Sequence, residues 1–137
     1  MKSVSDEIVL GIDPGTRVVG WGVVVARVRG FEPLGAGVFK PSLKLAVPER
    51  LGEIRASLDA LLLEFRPTIV VVEEAFAAHN FQSALRIGEG RGVALSSAAA
   101  FGARIFQYPP AVAKKTIVGH GSAPKEHVAR MVARLLG

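Results

Sequence analysis

The stretch Ile8 to Val25, IVLGIDPGTRVVGWGVVV, constrains the fold more than any other part of the chain. Ile8-Val9-Leu10-Gly11-Ile12 is a short, almost continuous apolar run, which suits a strand buried on both faces of a sheet. Asp13 ends it, and Pro14-Gly15 follows at once as a turn signal. A second apolar run, Val18 to Val25, begins so soon afterwards that the two predict a hairpin. A carboxylate at the mouth of a buried strand must be hydrogen-bonded, ion-paired or bound to a metal. Taken alone, Asp13 has two readings. It caps its own turn, as aspartate before Pro-Gly often does, or it is a ligand.

A chain of 137 residues makes about one domain with a single good core. It has no uninterrupted apolar run of about 18 residues, so no membrane span is expected. The first residues, MKSVSDE, lack the apolar region of a secretory signal. Cysteine is absent, which excludes disulfides and thiolate metal sites, and the chain reads as cytoplasmic. The formal charge is +5, and all of that surplus falls within residues 101–137. There Arg104, Lys114, Lys115, Lys125, Arg130 and Arg134 stand against Glu126 alone. Such segregation suits a polyanion such as nucleic acid. A solubilising face, or a chain whose balancing acids are missing, would also produce it.

After the hairpin, Gly30 marks a turn and Leu34 to Phe39 predicts a third strand, weakened by Gly35 and Gly37. Residues 40–47 form a loop, and Pro48 opens a helix in the first-turn position that tolerates proline. Leu51, Ile54, Leu58, Leu61, Leu62 and Phe65 share one face of it at helical spacing, and Arg66-Pro67 closes it. Thr68-Ile69-Val70-Val71-Val72 is a second buried strand, and it too ends in acid, at Glu73-Glu74. Reached through a helix, it should pair parallel with the first strand. Ligands gather at the carboxyl ends of such strands, so Asp13 and one of the glutamates should converge. Both glutamates cannot serve while the strand continues, because successive side chains point to opposite faces.

Asn80 to Gly102 predicts a long helix with a stripe of small residues, Ala84, Gly88, Gly92, Ser96 and Ala100. Gly88, Gly90 and Gly92 cost about 1 kcal/mol each relative to alanine inside a helix. Close approach by a neighbour would offset that cost, and the neighbour is either this chain's own sheet or a second subunit. Arg104 to Tyr108 is a fifth strand. Pro109-Pro110 begins a short helix to about Ile117, 119–122 is a loop, and a last helix runs from about Ala123 to Leu136. The order predicts an α/β domain spanning 1–137, with a five-stranded mixed sheet and helices on both faces.

Three stretches, GIDPGTRVVGWGVV, VVVEEAFAAHNFQSALRIGEGRGVA and KKTIVGHGSAPKEHVARMVARLL, occur in an order and spacing that resemble the RuvC Holliday junction resolvases. The resemblance covers essentially the whole chain. It implies an RNase H-like fold, a homodimer built through helix 80–102, and a structure-specific endonuclease of recombination and repair. The implied reaction is Mg²⁺-dependent symmetric nicking of two strands at a four-way DNA junction. Two Mg²⁺ ions per complete site are implied, with Mn²⁺ as a substitute, and branch-migration proteins are implied partners. Asp13 matches the first catalytic aspartate and Glu73 the second carboxylate, both metal ligands, with Glu74 a neighbour. Phe76 matches an aromatic that stacks on bases near the crossover, and Lys114 and Lys125 match lysines beside the scissile phosphates. Asn80, from the same run as Phe76, and Arg86 complete the DNA-binding candidates.

One departure bears on activity. The resemblance implies a further helix whose acidic pair, or His/Asp pair, completes the metal site. Here no aspartate follows Asp59, and Glu126 is the one acid in the final quarter. Relative to the family the chain is expected to be incomplete at its C-terminal end, and weak or inactive as a nuclease. A two-metal phosphodiesterase holds its cations about 4 Å apart, a demanding task for two carboxylates.

Each candidate has a plainer role to set beside this one. Glu73 is otherwise a solvated strand end, and Phe76 is core packing. An exposed Phe76 would contribute about 1–3 kcal/mol per stacked base. Lys125 falls in the first turn of the last helix, with Ser122 as its expected N-cap, a combination that suits phosphate; otherwise it is an exposed lysine. Arg86 and Arg91 either reach the DNA backbone or face solvent, and His120 is a loop residue with no assigned role. The competing functions are a non-catalytic junction-binding dimer and another RNase H-like nuclease. An actin-like ATPase, suggested by the GID turn, would need two such domains.

Overall fold

Seven elements follow one another in the order β1 (Glu7–Asp13), β2 (Val19–Arg27), β3 (Gly30–Phe39), α1 (Val47–Phe65), β4 (Ile69–Glu73), α2 (Phe81–Phe101) and β5 (Arg104–Tyr108). They come from a computed structural model that describes residues 6–15, 17–28, 30–74 and 80–108. The helices expected after Pro109 and the loop 119–122 lie outside the described residues, as do Phe76, Lys114, His120 and Lys125.

One mixed sheet holds all five strands in the order β3-β2-β1-β4-β5. The tight turns after β1 and β2 permit antiparallel pairing of the first three strands. The connections through α1 and α2 bring β4 back parallel to β1, and β5 parallel to β4. The register aligns Ile12 with Val72 and Val72 with Gln107, so the carboxyl ends of β1, β4 and β5 finish at one edge.

Alternation decides which face each strand residue covers. Leu10, Ile12, Val19, Val23, Val70 and Val72 are buried against Ile54, Leu58, Leu61 and Leu62 of α1 and Ala94 and Ala98 of α2. Both described helices therefore lie on this one face of the sheet. The opposite face carries a smaller cluster, Val9 and Val24 with Ala26, Ile69 and Val71 beside them. The last helix expected from the sequence, 123–136, is among the residues not described.

Helix α1 is held by burial of its leucine and isoleucine stripe, about 1.5–3 kcal/mol for each fully buried side chain. It stops at Arg66, which adopts a left-handed conformation at φ 48° and donates its N–H to the Leu62 carbonyl at 2.9 Å. Pro67 then bars any continuation.

Strand β3 begins at Gly30, earlier than the expected Leu34. Its glycines look like breakers in sequence, yet they make room for an indole. A Cβ on Gly37 would come within 3.0 Å of the Trp21 ring, and one on Gly35 within 3.5 Å. Trp21 stacks on Phe39 with ring centroids 6.3 Å apart and lies against Phe65 of α1 at 6.0 Å. Pro33 is tolerated because β3 is an edge strand. The register shifts between Val23 and Val24, which leaves Leu34 as the extra residue of a bulge.

Candidate active site

Asp13 and Glu73 are the last residues of adjacent parallel strands, each one step beyond the Ile12–Val72 pair. Leu10, Ile12, Val70 and Val72 face the helices. The odd-numbered residues, Val9, Asp13, Ile69, Val71 and Glu73, therefore project from the other face. The packing of Val9 beside Ile69 and Val71 agrees with that parity. Neighbouring strands run about 4.8 Å apart, so two half-buried carboxylates leave the sheet side by side. This is the convergence expected from the sequence.

The flank of Asp13 toward β2 is kept low by Gly20, its partner across the hairpin. A Cβ built on Gly20 would meet the Asp13 Cβ at 3.8 Å. On the other flank Tyr108 pairs with Glu73 in the register of β4 and β5. The turn that leaves Asp13 is tight: a Cβ on Gly15 would lie 2.7 Å from the Val18 carbonyl oxygen.

Glu74 goes the other way. Its N–H donates to the Tyr108 carbonyl at 2.7 Å, extending the β4–β5 ladder by one bond. Its carboxylate pairs with Arg91 of α2 at 3.7 Å, on the helix-bearing side of the sheet. Of the two glutamates, Glu73 is thus the one beside Asp13.

The remaining candidates are more dispersed. Asn80 is the N-cap of α2, its Oδ1 accepting from the Ser83 N–H at 2.8 Å. Arg86 donates from Nη1 to both oxygens of Glu89, at 2.7 and 2.8 Å, within the same helix. Of the basic residues in the final quarter, Arg104 alone is described. It sits at the far end of the sheet, donating to Glu7 at 2.6 Å. Arg91, expected to face DNA or solvent, instead pairs with Glu74, a partner that the sequence does not reveal. A lone arginine on a helix carries no sign of a long-range partner.

The small-residue stripe of α2 is exposed along its length: Ala84, Gly88, Gly92, Ser96 and Ala100 all face outward. Among the described residues, a Cβ on Gly88 or Gly92 would meet nothing within 4 Å, whereas one on Gly90 would lie 2.9 Å from the Gly15 carbonyl oxygen. The two neighbours proposed for the glycines therefore divide. Gly90 approaches this chain's own turn after β1, and the other two look away from it. Exposed Phe81 and Leu85 line a shallow apolar hollow with Ala84, Gly88 and Glu89 at the start of the same outward surface.

The donor set suits a hard divalent cation, since two carboxylates offer oxygen ligands at neighbouring positions. Among the described residues no group of three or more metal-ligating side chains occurs, and no helix is long and apolar enough to cross a membrane.

The chain is similar to proteins of one known family. A family model described as Crossover junction endodeoxyribonuclease RuvC matches residues 9–137. A protein of that description from Chlorobium chlorochromatii is 41% identical over 129 residues, which are 94% of this chain and 67% of the relative. One from Histophilus somni is 42% identical, with 94% of this chain and 68% of the relative covered. Among solved structures, T. thermophilus RuvC in complex with a Holliday junction substrate superposes with a TM-score of 0.79 at 37% identity. That match covers 92% of this chain and 77% of the other.

Proposed function

The chain belongs to the crossover junction endodeoxyribonuclease RuvC family, a family of metal-dependent nucleases with an RNase H-like fold, and we propose that it resolves four-way DNA junctions through a metal site built on Asp13 and Glu73. The observation that carries this reading is their shared projection from adjacent strand ends, with Glu74 turned away to Arg91. Mg²⁺ is the proposed ion, with Mn²⁺ able to replace it, because oxygen-only donors that leave room for water suit both. When bound, such an ion polarises the phosphoryl group and makes its water a better nucleophile.

The chain's own residues supply position. Strand pairing fixes Asp13 and Glu73 along one edge, and the small Gly20 leaves a low wall on the β2 side for a phosphodiester to approach. Phe76, Asn80, Arg86, Lys114 and Lys125 are the proposed DNA contacts, of which Asn80 and Arg86 also stabilise α2 locally. A four-way junction is close to two-fold symmetric, and symmetric nicking calls for two sites related in the same way. The outward stripe of α2 is the proposed seat of a second copy, since glycine and alanine let two helix backbones approach closely. Branch-migration proteins are proposed partners, in a cytoplasmic setting.

A non-catalytic junction-binding dimer is the second reading, favoured by the two-carboxylate set and the absence of a larger ligand cluster among the described residues. A gel assay on a synthetic four-way junction beside matched duplex, first in EDTA and then in Mg²⁺, separates the two. Junction-selective binding followed by paired symmetric nicks supports the resolvase. Selective binding without nicks supports the second reading, and equal binding of duplex removes both.

A further inference from the structure

Two consecutive residues on the inward side of α2 touch both strand ends that carry the acids. Gly90 packs on the backbone of Gly15, in the turn that leaves Asp13. Arg91 pairs with Glu74, the residue after Glu73. The Arg91 side chain is 24% exposed, and its Nε is buried with no hydrogen-bond partner among the described residues. A guanidinium left partly unsatisfied is costly, and a fold retains one where its charge is used. Its stem and Nε face inward, toward the end of β4.

We propose that Arg91 is a positioning residue for the metal site: by holding Glu74 on the α2 side of the sheet, it fixes the end of β4 so that Glu73 projects beside Asp13. The proposal rests on the reading of Asp13 and Glu73 as metal ligands. Beyond the last paired residues, Glu73 with Tyr108, the chain keeps one further backbone bond, Glu74 N–H to the Tyr108 carbonyl, and past it the ladder no longer fixes the backbone. The Arg91 ion pair at 3.7 Å is a second tie that restricts it there. It also occupies the Glu74 carboxylate, which would otherwise compete with Glu73 for the cation. Helix α2 is stiff, so contact of Gly90 with one strand end and of Arg91 with the other sets the spacing between them.

The test measures Mn²⁺ binding by electron paramagnetic resonance on the full chain without DNA, alongside four-way junction binding in EDTA. Arg91→Met keeps the aliphatic stem and removes the charge. It is expected to weaken Mn²⁺ binding about tenfold, the lower end of the loss seen when groups that orient metal ligands are removed. Junction binding in EDTA should be unchanged. Glu74→Gln should give the same loss, and the double variant no more than either single one, because all three break one contact. Arg91→Lys retains the charge and should recover most of the affinity, which separates positioning from general damage to the fold. Unchanged Mn²⁺ affinity in Arg91→Met overturns the proposal. So does weaker junction binding in EDTA with Mn²⁺ affinity intact, which would make Arg91 a phosphate contact. Asp13→Asn and Glu73→Gln run in parallel. If they weaken Mn²⁺ binding and Arg91→Met does not, positioning alone fails. If none of the three does, the metal-site reading fails with it.

Discussion

Strand β1 carries a carboxylate at each end, and the two are housed in opposite ways. Glu7 and Asp13 are both odd-numbered and so project from the same face of the sheet. At the amino end, Glu7 accepts from Arg104 at 2.6 Å and from the Thr68 hydroxyl at 3.1 Å, which ties β1 to the starts of β4 and β5. At the carboxyl end, the next strand presents another acid, Glu73, beside Asp13. Where the fold needs cohesion alone it sets a cation against an anion. Two like charges that emerge together repel, and a bound cation would offset that repulsion. On the proposed function, one end of the sheet is structural and the other chemical.

The strongest way to break the comparison is to remove charge at the chemical end. Asp13→Asn and Glu73→Gln are each expected to lower Mg²⁺-dependent nicking of a four-way junction by at least about 100-fold. That is the order seen when one group that stabilises a transition state is lost. Junction binding in EDTA should persist in both variants, and circular dichroism should show an unchanged fold. Residual nicking within a few-fold of the parent would move the chemistry elsewhere.

The next test lies on α2, where two glycines two residues apart face opposite ways. Gly90→Ala places a methyl group 2.9 Å from the Gly15 carbonyl oxygen, so the turn after Asp13 or the helix must move. Overpacking of this kind costs about 1–3 kcal/mol, partly offset by about 1 kcal/mol of helix propensity. Its melting temperature should fall by about 2–8 °C per net kcal/mol, and nicking should fall with it. Gly88→Ala meets nothing within 4 Å among the described residues. It should hold or raise the melting temperature, and sedimentation should show a weaker dimer if the outward stripe seats a second copy. Equal effects from the two substitutions would end the distinction between the faces of α2.

These glycines also show how far the sequence could be read. Periodicity marked a small-residue stripe but not its neighbour, because spacing defines a face and says nothing of what lies against it. The acids at the ends of β1 and β4 were legible, since each halts an apolar run abruptly, and alternation alone predicted that Glu73 and Glu74 would part. The helix of 47–65 was legible from its spaced leucines. The first part of β3 was not, because Gly35 and Gly37 read as breakers until Trp21 is seen to need the space. Arg104 belongs to the basic surplus of the final quarter, yet it is bonded to Glu7, far away in sequence. Long-range pairs of single charged residues leave no local pattern.

The smallest expected effect sits at the structural end, and it sharpens the comparison by its size. Glu7 and Arg104 are well exposed, with side-chain accessibilities of 36% and 62%. Solvent and salt screen such a pair, and exposed pairs contribute about 0–1 kcal/mol. Glu7→Gln keeps the side chain's shape and an acceptor oxygen for the Thr68 hydroxyl. Urea unfolding should therefore show a loss within that range, shrinking further in about 1 M salt, where the screening length is roughly 3 Å. Nicking should be untouched. A double-mutant cycle with Arg104→Met isolates the pair, because each single variant breaks the same contact. A coupling well above 1 kcal/mol, or any loss of nicking in Glu7→Gln, would mean that the two ends of β1 are linked through the sheet rather than housed apart.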